Sequence, residues 1–83
     1  MKAELEKWKE GWQGLTLGLG NDEIDHFISL LQAIRNDNGQ HFHISSDCKG
    51  APGLGGIEIY VKDGAEEDNM YFSSLAKAPG EEK

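Results

Sequence analysis

The sequence predicts an α+β domain of β-α-β-β-β order, with one main helix packed on a mixed four-stranded sheet. Three observations lead there. Apolar residues recur at helical spacing across 22–36. Apolar and polar residues alternate on either side of that stretch, and two further alternating segments follow towards the C-terminus. The 83 residues read as a single domain, with 1–11 as an N-terminal extension and 77–83 as a flexible tail. A chain of this size buries only ~60% of its unfolded surface, so the expected core is thin.

Residues 2–10 (KAELEKWKE) favour helix weakly, with Leu5, Trp8 and Trp12 at spacings of three and four before Gly11 interrupts. The first strand begins near Trp12 and places Leu15, Leu17 and Leu19 on one face. Gly14, Thr16 and Gly18 form the other, leaving a shallow groove for Trp8 or Trp12 of the chain's own N-terminal segment to cover. The helix follows over Asp22–Asn36. Ile24, Phe27, Ile28, Leu31 and Ile34 make its stripe, with Leu30 at the margin. Asn21 or Asp22 caps its start, acids fill the first turn, and Asn36-Asp37-Asn38-Gly39 offers left-handed residues to stop it.

In the second strand Phe42 and Ile44 face the helix and His41, His43 and Ser45 face away. A strand–helix–strand unit with connections this short is expected to make a right-handed crossover between parallel strands. SSDCKGAPGLGG then forms a wide hairpin connection to IEIYVKDG, where Ile57, Ile59 and Val61 point inward and Glu58, Tyr60 and Lys62 outward. After an acidic connection, MYFSSLA reads as the fourth strand. Leu17, Phe27, Leu31, Phe42 and Ile59 are expected among the most buried side chains.

Fifteen acids against eight bases give a net charge of −7. Phosphate backbones require a positive face, so nucleic acid is excluded as a partner, whereas an acidic surface steers basic proteins. No apolar run is long enough to span a membrane, and the charged first ten residues lack the apolar segment of a signal peptide. With the single Cys48 there is no intrachain disulfide. These features together read as a soluble cytoplasmic protein.

Motifs for chemistry fail on inspection. Gly50-x-x-x-x-Gly55 is followed by Gly56 and Ile57 where a phosphate loop needs Lys and Ser or Thr, and Glu23 stands where a dinucleotide fingerprint needs its third glycine. The acidic 65–69 connection lacks the alternating oxygen ligands of a calcium loop. His41-x-His43 is spaced to chelate one metal ion, but zinc needs three or four convergent ligands and only two are placed. Cys48 near His43 has no orienting group or oxyanion hole. The chain therefore reads as no enzyme, with no cofactor and no metal. The face opposite the helix is more informative. Alternation gathers Thr16, His41, His43, Glu58, Tyr60 and Tyr71 there, an aromatic and histidine surface poor in lysine that suits a protein contact.

Leu15-x-Leu17, the Asp22-Glu23-Ile24 helix start, His41-Phe42-His43-Ile44 and Ile57-Glu58-Ile59-Tyr60 occur in an order that resembles a family of small immunity proteins of bacterial polymorphic toxin systems. The resemblance spans about 15–61. Asp47-Cys48-Lys49-Gly50 departs from it, standing where a Trp-Gly-Gly type turn is expected. It implies neutralisation of a cognate toxin domain by direct binding, without catalysis or cofactor. The alternatives are a small metal-binding protein using His41 and His43, or a self-associating domain whose uncovered sheet face forms a homodimer.

Overall fold

The computed structural model describes residues 1–73. It contains β1 (Lys2–Lys7), β2 (Gln13–Gly18), α1 (Asn21–Asn36), β3 (His41–Ser45) and β4 (Gly56–Tyr60). Mixed α and β content is as expected, but the sheet is not one of four strands. Among the described residues β1 pairs only with β2 and β3 only with β4, both antiparallel, giving two two-stranded sheets.

The N-terminal segment is the first correction. KAELEK forms a strand, not a helix, and aligns Leu5 with Leu15 and Ala3 with Leu17. A helix ending before Gly11 would be far shorter than the ~12–15 residues at which an isolated helix becomes marginal. The same six residues carry a period-two pattern that a neighbouring strand can use. The reversal is made by Glu10 at φ 62° and Gly11 at φ 86°, and the Trp8 N–H donates to the Trp12 carbonyl at 2.8 Å to close it. Trp8 then lies across Gly14, where a Cβ would drive into the indole ring, so the chain itself covers the Gly14 end of the groove, while Thr16 and Gly18 stay exposed.

The expected parallel crossover between the strands flanking α1 is not formed. With β1 on its ladder, β2 is paired within its own hairpin, and β3 finds its hydrogen-bond partner in β4 across the 46–55 loop. The Ser46 N–H donates to the Gly55 carbonyl at 2.9 Å and closes the base of that loop.

Helix α1 matches its expected span and differs at both ends. Its N-cap is Gly20, whose N–H donates to the Glu23 carboxylate at 2.9 Å, so Glu23 reaches back as in half of a capping box. Glu23 also holds the α-amine of Met1 at 2.8 Å. At the C-terminus neither Asn38 nor Gly39 takes a left-handed conformation. The Asp37 N–H instead donates to the Ala33 carbonyl, and the Asp37 side chain accepts from the Gly39 N–H.

The core lies where α1 meets the β3–β4 hairpin. Phe27 packs edge-on against Phe42 with ring centroids 5.9 Å apart. Ile34 is the one buried side chain among the described residues, at 7% exposure, and none is fully buried; Phe27, Leu30, Phe42, Ile44, Ile57 and Ile59 are half-buried. Leu31, expected in the core, is exposed together with Ile24 and Ile28. The side of the helix that carries Phe27 and Leu30 meets Phe42 and Ile44 of the hairpin, and the Ile24, Ile28 and Leu31 side of its apolar stripe is exposed.

The fourth strand is not formed over Met70–Ser73, and residues 74–76 lie outside the described residues, as does the 77–83 tail. Beyond Tyr60 the backbone is satisfied locally instead of by a ladder. The Glu66 N–H donates to the Asp63 carbonyl at 3.1 Å, and the Asp63 N–H to the Glu66 carboxylate at 2.8 Å.

Candidate functional site

The strand register decides which of the expected contact residues meet. In β3–β4, His41 stands directly opposite Tyr60 and His43 opposite Glu58. Side chains directly opposite on an antiparallel pair lie about 4.5–5.5 Å apart at Cβ, so these four form one continuous patch on the exposed face. The inward face carries Phe42, Ile44, Ile57 and Ile59. That division follows from alternation alone and agrees with the sequence reading.

Thr16 and Tyr71 are not part of this patch. Thr16 sits on the other sheet, paired with Glu4, on the Gly14–Gly18 face beside Trp8. Tyr71 lies in no strand and is exposed, together with Met70 and Phe72.

Tyr60 is more constrained than an outward aromatic on a free sheet face. Its hydroxyl donates to the Glu66 carboxylate at 2.7 Å. The Lys62 ammonium donates to the Glu66 carbonyl at 2.8 Å and pairs with Asp68 at 3.2 Å. The acidic connection is thereby folded against the end of β4. The hydrogen bond from Tyr60, and then the one from the Asp63 amide, hold the Glu66 carboxyl below the usual carboxylate range. Reciprocally, the bond to Glu66 and its charge push the Tyr60 phenol up. Sequence reasoning missed Glu66. The signal was present in Asp63-Gly64, which marks a turn returning the chain to the residue six positions earlier.

The His41 and His43 rings are edge-on with centroids 5.0 Å apart. Among the described residues no third His, Cys, Asp or Glu converges on them, so the pair lacks the further ligands of a zinc site. Cys48 is exposed, at φ 59° in the 46–55 loop, and its backbone N–H donates to the Ser46 hydroxyl at 2.9 Å.

Comparison with known proteins finds no matching family model, no matching curated protein and no matching solved structure. The site is therefore described by its own geometry.

A second feature is a cleft of about 1270 Å³ between the two hairpins. Ala3, Leu5 and Leu17 form one wall, and Leu30, Ile44 and Ile57 contribute to the other. A smaller depression of about 110 Å³ lies beside Phe27, Leu30 and Phe42, with Met1 and Glu23 at its rim. The large cleft is lined by Cys48, Ser45 and Ser46 as well as His26 and His43, but Cys48 hydrogen-bonds only to Ser46 and not to either imidazole, and among the described residues no buried polar side-chain atom lacks a hydrogen-bond partner. No helix among the described residues is long and apolar enough to cross a membrane.

Proposed function

We propose that this chain is a non-catalytic protein-binding module acting through the outward face of the β3–β4 hairpin. The observation that supports this reading is the register that sets His41 against Tyr60 and His43 against Glu58 on one exposed face. Aromatic and histidine side chains on a paired strand lose little conformational entropy on binding and offer both apolar area and hydrogen bonds. The acidic connection pinned beside Tyr60 by Glu66 adds negative charge at the edge of the patch, and the net charge of −7 favours a basic partner.

In its specific form, which follows from the residue resemblance, the partner is a cognate toxin domain of a bacterial polymorphic toxin system. Neutralisation takes place in the cytoplasm by direct binding. The test is co-expression with the toxin domain encoded beside this gene, read as growth. The wild-type chain restores growth, and a His43→Ala, Tyr60→Ala double variant that melts at the wild-type temperature fails to. Growth restored equally by that variant removes the β3–β4 face from the proposal. Absence of rescue by the wild-type chain removes the immunity reading.

A further inference from the structure

We propose that α1 pairs with the α1 of a second copy of this chain, antiparallel about a twofold axis, through Ile24, Ile28 and Leu31. This surface is separate from the β3–β4 face and does not depend on the function proposed for it. Two observations carry the proposal, the first being pattern. Asn21, Ile24, Ile28, Leu31 and Arg35 follow the alternating three and four spacing of a two-helix seam. The three central residues are between 40% and 49% exposed, while the neighbouring Phe27 and Leu30 lie against the hairpin and Ile34 is buried.

Charge comes second, and it distinguishes a second copy from another partner. The seam itself carries no acid, and its one charged member, Arg35, makes no ion pair among the described residues. Asp22 and Asp25 lie at the opposite end of the same helix and are likewise unpaired. An antiparallel twofold arrangement brings each Arg35 to the acidic end of the other helix and opposes the two helix dipoles. With acids at one end of the helix and Arg35 at the other, the strip is complementary in charge to its own antiparallel copy at both ends.

Sedimentation velocity of the full chain across a wide range of protein concentrations tests the proposal. The weight-average mass should rise towards twice the monomer. Ile28→Glu, at an exposed position, should abolish that rise while leaving the helical circular dichroism unchanged. Arg35→Glu and Asp25→Lys should each weaken the dimer by about tenfold or more. An equimolar mixture of those two variants should recover near wild-type association, because each repulsive contact is then replaced by an attractive one. A wild-type chain that stays monomeric, a dimer indifferent to Ile28→Glu, or a mixture no stronger than its separate variants would each overturn it.

Discussion

Hairpin β1–β2 aligns six residues with six across a reversal at Glu10 and Gly11, whereas β3–β4 aligns five with five across the longer 46–55 loop. The longer, more tightly closed ladder has the less buried apolar face. Leu5 and Leu15 stand opposite each other and are each 47% exposed, while Phe42, Ile44, Ile57 and Ile59 are half-buried under α1. The contrast separates two requirements that sheet proteins usually meet together. Backbone hydrogen bonds are satisfied within either hairpin, but apolar burial depends on which face the helix reaches, and burial carries most of the stability.

The largest expected effect follows from that difference. Ile34→Ala should cost about 2–4 kcal/mol, because it empties the one buried position among the described residues. Leu15→Ala, on the uncovered face, should cost less than about 1 kcal/mol. Urea unfolding of the two variants is the measurement. Equal costs would mean that the β1–β2 face is covered in solution, and the contrast between the hairpins would be lost.

Glycines give the next comparison. A Cβ at Gly14 meets the Trp8 ring, whereas a Cβ at Gly56 would approach the Ile44 carbonyl oxygen at 3.3 Å, a tight but small displacement. Gly14→Ala should therefore destabilise by about 1–3 kcal/mol and shift tryptophan fluorescence as Trp8 is displaced. Gly56→Ala should cost less and leave the fluorescence unchanged. The reversal of opposite sign is Glu10→Gly. Glu10 holds φ 62° with a Cβ that opposes it, so glycine should stabilise the β1–β2 hairpin by up to about 1 kcal/mol. A thermal melt lowered by Glu10→Gly would show that the side chain contributes more than the strain it bears.

The sequence made the helix, β3, β4 and their inward and outward faces legible because each depends on its own periodicity. Helix spacing over Ile24–Ile34 and alternation over His41–Tyr60 are local properties. Strand partners are not. KAELEK scores as helix by propensity, and only its proximity to β2 through a two-residue left-handed reversal makes it a strand. β2 pairs with β1 and β3 with β4, and no parallel pairing joins the strands that flank the helix. The width of the helix stripe was readable, but not which part of it a two-stranded sheet could cover. At the candidate site, His41, His43, Glu58 and Tyr60 were legible from alternation. Thr16 and Tyr71 were assigned to the same face only through a four-stranded sheet that does not form.

The smallest effect concerns the outer edge of β4, where Tyr60, Glu66 and the Asp63 amide hold the acidic connection in place. Both ionisable groups are exposed, so their linkage should barely move global stability and should be sought locally. Glu66 has its carboxyl lowered, first by the Tyr60 hydroxyl and then by the Asp63 N–H. Its contribution is therefore present above the pKa of a free glutamate and lost as pH falls through the lowered value. Tyr60 is shifted the other way, its neutral form being favoured by the hydrogen bond to Glu66 and by that carboxylate's charge. That contribution is present below the free tyrosine pKa and lost as pH rises through the raised value. The connection should thus be ordered across the neutral range and loosen at both extremes. Tyr60→Phe removes the shared hydrogen bond while keeping the ring opposite His41. In that variant the Glu66 carboxyl should titrate closer to the ordinary range by NMR, and the Asp63 amide should exchange faster, with the melting temperature nearly unchanged. An unaltered Glu66 titration would mean that the Asp63 amide alone holds the connection, leaving Tyr60 free to act as a contact residue without first releasing its acid.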